Sequence, residues 1–250
     1  MIESVFFFAV AVPAVLLAGI SKGGFGGGLG IVAVPLMALA VPVPVAAAIM
    51  LPILCLMDLL NLGAYWGKWD RRNLALLLPA SMAGIALGAL TFRYVDEASL
   101  RLIIGTIAVG FTLNHWLKGR KAAPRAATRL AGGFWGGVAG FTSFAAHAGG
   151  PPINVFLLPQ RLDKTVYQAT TVVFFTAVNY VKLLPYWWLG QLNAPNLTTS
   201  AVLAPLAFLG IWAGVRLHRA VPEGPFYRIA YALVFVTGLK LLYDGITGLA

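Results

Sequence analysis

Long apolar runs alternate with short polar connections along the whole chain. The runs fall at about 4–20, 28–41, 44–65, 73–92, 99–117, 130–146, 149–159, 165–189, 197–215 and 225–248. A helix that crosses a membrane needs about 20 predominantly apolar residues, so most of the runs are long enough, whereas 28–41 and 149–159 are too short. The pattern predicts an all-α integral membrane protein with roughly seven to ten membrane segments, some of them short.

Composition supports this prediction and excludes other classes. Of the 250 residues, 60% are hydrophobic and 10% are charged, against about 25% charged residues in a soluble domain. The formal charge of +10 comes from Lys and Arg in short connections, which indicates membrane orientation rather than nucleic-acid binding. The single cysteine, Cys55, excludes a disulfide framework or a thiolate metal cluster. Because Glu3 precedes the first apolar run and no basic residue does, that run is read as a membrane segment rather than a signal peptide.

The most unusual stretch is 18–37, AGISKGGFGGGLGIVAVPLM, in which six glycines fall within eight residues. Each glycine costs a helix about 1 kcal/mol relative to alanine, so a break is expected after Ser21. A second break follows at 143–152, SFAAHAGGPP. Broken backbone at membrane depth is tolerated only where protein buries it or where it lines a polar cavity. The two breaks therefore predict two halves of one ion or substrate site, although glycines also allow close helix packing.

The second half of the chain repeats the first. We divide a single transmembrane transporter domain, 1–250, into repeat 1 (about 1–118), a basic linker (118–129) and repeat 2 (about 130–250). A shift of 126 residues aligns Pro79, Gly84, Gly88, Arg93 and Glu97 with Pro205, Gly210, Gly214, Arg219 and Glu223. A shift of 122 residues aligns Ser21 and Gly27-Gly28 with Ser143 and Gly149-Gly150. A shift of 121 residues aligns Tyr65-Trp66, Asp58 and Asn61 with Tyr186-Trp187, Asn179 and Lys182.

The basic residues favour an inverted orientation of the two repeats. If each glycine break is a re-entrant hairpin, nearly all Lys and Arg in the connections fall on one side, with only Arg93 and Arg101 opposite. If each break lies within one crossing, the two sides are almost equal. The positive-inside rule favours the hairpins. The predicted fold is an inverted repeat of two helical units, each with a glycine-broken re-entrant hairpin, which is typical of secondary transporters.

Several polar residues at the breaks suit an anion. Helices that restart at Gly28 and Gly150 would present free N–H groups and positive dipole ends. Lys22 would add a cation, unless it snorkels or pairs with a carboxylate, and Ser21 and Ser143 would donate hydroxyl groups, unless they cap turns. The predicted substrate-binding set is Ser21, Lys22, Gly23, Gly24, Gly26, Gly27, Gly28, Asn61, Ser143, His147, Gly149, Gly150, Asn179 and Lys182.

Two of these regions also suggest proton coupling. His147, with an ordinary pKa of about 6.5, and Asp58 are the candidate proton carriers, although a lone histidine is often a neutral core residue. Lys182 would be an anion-pathway residue or would simply pair with Asp58 across the repeats. The sequence around His147 shows no pattern of ligands that indicates a metal site. We predict no catalytic residue, no metal and no cofactor.

The two breaks carry a resemblance to a known family. GISKGGFGGGLGIVAVPLMA, followed by a second break ending in PPINVFLLP, resembles the TauE/SafE family of sulfite and organosulfonate exporters over nearly the whole chain. The resemblance implies export of sulfur-containing anions from the bacterial cytoplasm, with proton coupling as an option. The second break departs from the family's GxGGG-like run, since residues 144–150 read FAAHAGG; this departure predicts a subgroup with altered substrate or coupling.

The sequence thus predicts a multi-pass transporter of the bacterial inner membrane, not an enzyme. Its substrate would be a small anion such as sulfite or a sulfonate, moved by alternating access. A passive anion channel and a non-catalytic membrane subunit of a biosynthetic complex are the alternatives. The expected partners are the anion and the lipid bilayer, without nucleic acid, and a homo-oligomer stays open.

Overall fold

The computed structural model describes residues 4–26, 33–91, 97–118 and 126–249, and in these ranges the regular structure is helical. This confirms the all-α prediction. The α-helices of the described ranges are α1 (Val5–Gly24), α2 (Ala33–Met37), α3 (Val43–Tyr65), α4 (Arg71–Thr91), α5 (Glu97–Lys118), α6 (Arg129–Ala146), α7 (Gly150–Leu157), α8 (Lys164–Trp188), α9 (Ala194–Ala220) and α10 (Glu223–Leu249), with a 3-10 turn at Leu158–Gln160.

The helices begin where the sequence supplies caps. A side-chain oxygen accepts a hydrogen bond from a backbone N–H two or three residues further on, which satisfies a group that the helix itself leaves unpaired. The short helix α7 instead begins at Gly150 with Pro151 and Pro152 next, where a missing N–H costs nothing. The residues that cap in the first way are Ser4, Asp70, Thr128, Asp163 and Asn193.

Five described helices are long and apolar enough to cross a membrane: Val5–Gly24, Pro44–Tyr65, Arg71–Thr91, Ala194–Ala220 and Gly224–Gly248. The chain is therefore a multi-pass membrane protein. At 25 residues, α8 has the length to cross but is not among the five, and it carries buried polar side chains that include Gln168, Asn179 and Lys182. The polar residues of α8 lie inside the protein, where they build the site described below.

Glycines bring pairs of helices into backbone contact. Helix α1 packs on α9, α4 on α6 and α5 on α10, while α3 lies against α8 and α9. A Cβ atom added at Gly84 in α4 would lie 2.1 Å from the carbonyl oxygen of Gly137 in α6, and one at Gly214 in α9 would lie 2.4 Å from that of Ile20 in α1. Such approaches are open only to residues without a side chain, as in other close-packed membrane helices.

The first glycine break begins later than the sequence predicts. Helix α1 continues through Ser21 and Lys22 to Gly24, and Gly26 then adopts a left-handed φ of 65°. The two glycines inside the helix pack against α9, since a Cβ at Gly23 would meet the Ile211 carbonyl oxygen at 2.8 Å and one at Gly24 that of Gly214 at 2.6 Å. Tertiary packing thus offsets their low helix propensity. Gly27, Gly28 and the predicted helix start at Gly28 lie outside the described residues.

Candidate functional site

The end of α1 is held by side chains from three other helices. The last four carbonyl groups of a helix have no partner within it, and at membrane depth an unpaired group is costly. In α1 each of these four carbonyl groups accepts a hydrogen bond. In addition, the N–H of Gly26 donates to Gln168 Oε1 at 2.6 Å. The carbonyl–donor pairs are Ser21 with Phe25 N (2.8 Å), Lys22 with Gln168 Nε2 (2.5 Å), Gly23 with Tyr65 Oη (2.6 Å) and Gly24 with His218 Nδ1 (3.0 Å).

The end of α6 has a related arrangement. His147 adopts a left-handed φ of 50°, which costs a residue with a side chain about 1–2 kcal/mol. The hydroxyl of Tyr186 donates to the carbonyl of Phe144 at 3.3 Å, as Tyr65 does to Gly23. The tyrosine of the second break lies 121 positions after that of the first, and so does the carbonyl that it binds. The left-handed residues Gly26 and His147 are also 121 positions apart. In the second break a histidine thus occupies the conformation that glycine takes in the first.

A buried ion pair joins α1 to α3. Lys22 Nζ lies 2.6 Å from Asp58 Oδ1, and the Asp58 side chain is fully buried. Asn179 Nδ2, on α8, donates to the other oxygen of Asp58 at 2.7 Å. Apart from the ion pair, Oδ1 has no hydrogen-bond partner in the described part of the chain. Lys22 thus pairs with a carboxylate, which is one of the alternatives that the sequence left open for it. Asp58, on α3, is bonded to residues of both α1 and α8.

The second buried cation, Lys182 on α8, has neutral partners. Its Nζ lies 3.0 Å from both the carbonyl oxygen and the Oγ of Ser143, and 2.8 Å from Nδ1 of His147. These contacts match the three N–H bonds of an ammonium group. The other ring nitrogen of His147 lies 3.1 Å from the carbonyl oxygen of Ala47. Because Nε2 can only donate there while Nδ1 accepts from Lys182, the imidazole is neutral and carries its proton on Nε2.

The site has more basic than acidic side chains. The carboxylates whose side chains the structure describes are Asp58, Asp70, Asp163 and Asp244. Asp70 and Asp163 cap helices, and Asp244 pairs with Lys240 on α10. Among these four, only Asp58 faces the two buried lysines, and it is bonded to Lys22. A buried ammonium group without a countercharge is costly, which makes Lys182 the candidate anion-binding group of the site.

The two cations and the two breaks meet at a cavity of about 30 Å³. This volume has room for about two water molecules, so a larger ligand requires the walls to separate. The polar groups of the wall are the two ammonium groups, the hydroxyl of a serine, an imidazole and an amide. Its lining residues are Lys22, Leu54, Ser143, His147, Gly150, Phe175, Asn179 and Lys182.

Some predicted site residues lie elsewhere. Ser21 is buried in α1 but does not line the cavity, and Gly149 lies beside it, where a Cβ would meet Ser143 and the Ala139 carbonyl oxygen at 3.0 Å. Asn61 is fully buried on α3, and neither atom of its amide has a hydrogen-bond partner among the residues that the structure describes. The glycines that instead pack against other parts of the protein are Gly23, Gly24 and Gly26.

Three contributors to the site were absent from the predicted set. Gln168 and His218 bind the end of α1, and Phe175 lies with its ring centroid 5.6 Å from Lys22 Nζ. The signal for Gln168 was a polar residue in an apolar helix, which by itself fits any interhelical hydrogen bond. Neither His218 nor Phe175 carried a signal in the sequence.

A comparison with known protein families places this cavity in context. The family described as "Sulfite exporter TauE/SafE" matches residues 11–241, a range that includes both breaks and both lysines. The chain belongs to the TauE/SafE family. This is a family of transporters rather than enzymes, as the sequence predicted, and the resemblance noted from the two breaks is confirmed.

Two curated relatives are similar at low identity. A protein of Cupriavidus necator named "Probable sulfite/organosulfonate exporter TauE" is 22% identical over 183 residues, which cover 71% of this chain and 70% of that protein. A protein of Comamonas testosteroni named "Probable inner membrane transporter protein TsaS" is 26% identical over 206 residues, covering 70% of this chain and 84% of the relative. No solved structure matches the chain.

Proposed function

We propose that this protein is a secondary transporter that carries small sulfur-containing anions, such as sulfite or a sulfonate, out of the cytoplasm across the bacterial inner membrane. The observation that carries the proposal is the Lys182 ammonium group, which is buried at a cavity and bonded to neutral acceptors. The family assignment and the names of the two relatives support the substrate class and the membrane.

The anion would bind between the two breaks. Lys182 and Ser143 offer charge and a hydroxyl from one side, and Lys22 and Asn179 lie on the wall as well. Gly150 opens α7 at the same cavity, where its own N–H and the positive end of the helix dipole would add positive potential, although Pro151 and Pro152 supply no further N–H. Sulfonate oxygens accept several hydrogen bonds at once, which fits donors that converge from different helices.

Alternating access between two related halves would move the anion. The proposal is supported by the equivalent contacts of the two tyrosines, 121 residues apart, and by reciprocal helix packing. Helix α1 packs on α9 and α6 packs on α4, so each broken helix lies against a long helix of the other repeat. The small volume of the cavity fits a closed state between the two open ones. An inverted repeat with re-entrant hairpins stays the expected arrangement.

Proton coupling would use Asp58 or His147. Asp58 is a buried carboxylate whose partner Lys22 also lines the cavity, so an anion that draws on Lys22 would weaken the ion pair and favour uptake of a proton. His147 is bonded directly to Lys182 and would respond to the same anion. Either route links the charge of the substrate to the charge of the protein.

Flux in proteoliposomes tests the proposal. We expect saturable uptake of sulfite and methanesulfonate, with counterflow, and faster net movement when a pH gradient is imposed. Lys182→Met should abolish both fluxes, whereas Lys240→Met, which breaks an ion pair on α10, should not. The absence of flux for both anions would refute the proposal, and conductance without counterflow would instead indicate a channel.

A further inference from the structure

The geometry points to Asp58 as the residue that sets which anion charge the cavity accepts, so that singly charged anions are preferred over doubly charged ones. The inference rests on the proposed function and narrows its substrate class. It starts from the count of charges at the cavity rather than from the shape of any ligand.

The charge balance at the cavity follows from the contacts of four side chains. Lys22 and Asp58 cancel each other at 2.6 Å, and His147 is neutral because Nδ1 accepts from Lys182 while Nε2 faces the carbonyl oxygen of Ala47. Lys182 alone remains, with its three N–H bonds directed at neutral acceptors. With Lys182 as an ammonium group, the described residues of the site carry one net positive charge.

One positive charge neutralises one negative charge. A sulfonate monoanion next to Lys182 leaves the buried site neutral, whereas a dianion leaves one negative charge without a partner. Uncompensated charge is strongly unfavourable in a site of low dielectric. Among the described lining residues there is also no second free cation to offer a dianion, because Lys22 is bonded to Asp58.

Asp58 controls this balance although it does not line the cavity. It lies behind two lining residues, Lys22 and Asn179, and contacts both of them. Removing its charge leaves Lys22 free to act on the ligand, and the site then carries two positive charges. Asp58 is thus a specificity-determining residue that acts through Lys22.

The test compares anions of similar size and different charge at one pH. Methanesulfonate is a monoanion, and sulfate and thiosulfate are dianions; all three have four groups around a sulfur atom. Binding to the purified full-length protein is measured by calorimetry at constant ionic strength. We expect the wild-type protein to bind methanesulfonate at least about tenfold more tightly than either dianion, since one buried charge is at stake.

Two variants separate the charge count from other effects. Asp58→Asn keeps the shape and the contact with Asn179 but raises the net charge to two, so the preference for the monoanion should fall by about tenfold or more, or reverse. The double variant Lys22→Met/Asp58→Asn returns the net charge to one and should recover the wild-type preference. Because the double variant has no ion pair, its recovery cannot come from that contact.

The outcomes are distinguishable. Equal binding of monoanion and dianions by the wild-type protein, or a preference unchanged in Asp58→Asn, overturns the role of Asp58 and leaves the proposed transport function intact. A wild-type protein that binds none of the three anions overturns the anion site itself and the inference with it. If Asp58→Asn does not fold, the inference is still overturned by equal binding of monoanion and dianions in the wild-type protein, or by a double variant that loses the wild-type preference.

Discussion

The ammonium group of Lys182 binds the imidazole of His147, with 2.8 Å between Nζ and Nδ1, while the carboxylate of Asp58 is bonded to Lys22. A simple exchange of partners, with Lys182 bonded to Asp58, would instead have left Lys22, on α1, as the lysine without a carboxylate partner. In the observed pairing, Lys182 on α8 is the lysine without a carboxylate partner, and it lies beside the break that contains His147.

Replacing Lys182 should remove anion binding. A hydrogen bond to a charged group contributes about 1.5–3 kcal/mol, so Lys182→Met should weaken binding of methanesulfonate by roughly 10- to 100-fold. Calorimetry on the purified protein measures the change, and Lys240→Met on α10 is the matched control. A Lys182→Met protein that binds as the wild type does would remove Lys182 from the site.

Replacing Lys22 alone should destabilise the protein. Lys22→Met leaves the buried carboxylate of Asp58 with Asn179 as its remaining contact, and breaking a buried ion pair in this way costs about 3–5 kcal/mol. Lys22→Met/Asp58→Asn removes both charges and should regain most of the loss. Thermal unfolding in detergent compares the two; equal melting temperatures would show that the pair does not contribute in this way.

The left-handed backbone at His147 can be separated from its side-chain contacts. His147→Ala and His147→Gly both lose the bonds to Lys182 and Ala47, but glycine adopts this backbone conformation without strain. His147→Gly should therefore be more stable than His147→Ala by about 1–2 kcal/mol. The difference in their unfolding midpoints reports the strain, and identical midpoints would argue that the backbone relaxes at this position.

Two glycines on α6 should respond in opposite directions to the same substitution. A Cβ at Gly140 would lie 2.1 Å from the carbonyl oxygen of Ser81, whereas one at Gly133 has nothing within 4 Å. Gly140→Ala should destabilise the contact with α4 by about 1–3 kcal/mol. Gly133→Ala should stabilise the helix by roughly 0.5–1 kcal/mol. Unfolding midpoints of the two variants test the packing directly.

Much of this arrangement followed from the sequence for identifiable reasons. The apolar runs gave the helices to within a few residues because the caps at Asp163 and Asn193 are local signals. The prediction that Lys22 and His147 lie near one another followed from two breaks at matching positions, and both residues do line one cavity. The orientation of the repeats stays a prediction.

The partners of the buried charges could not be predicted in the same way. The spacing of Asp58 and Asn61 placed them on one face of α3, and that of Asn179 and Lys182 on one face of α8, but it did not show how deeply the two helices overlap. Their relative position decides that Asn179 reaches Asp58 and that Lys182 reaches Ser143. The extension of α1 through Gly24 depends likewise on contacts with α9, which is distant in sequence.

Removing one support from the end of α1 should weaken the protein measurably. Tyr65→Phe leaves the buried carbonyl of Gly23 without its donor, which should cost about 1–3 kcal/mol. Tyr243→Phe, at an exposed position on α10, should have little effect. Thermal unfolding and sulfite flux should both change in Tyr65→Phe, and a variant as stable as the control would show that another donor replaces the hydroxyl.

The supports at the end of α1 also constrain how the cavity can open. Tyr65, Gln168 and His218 come from α3, α8 and α9, and they bind three successive carbonyl groups. A small displacement of α1 along its axis would strain all three bonds together. The three donors therefore fix the axial position of the end of α1, and any movement of this helix that opens the cavity has to break the three bonds together.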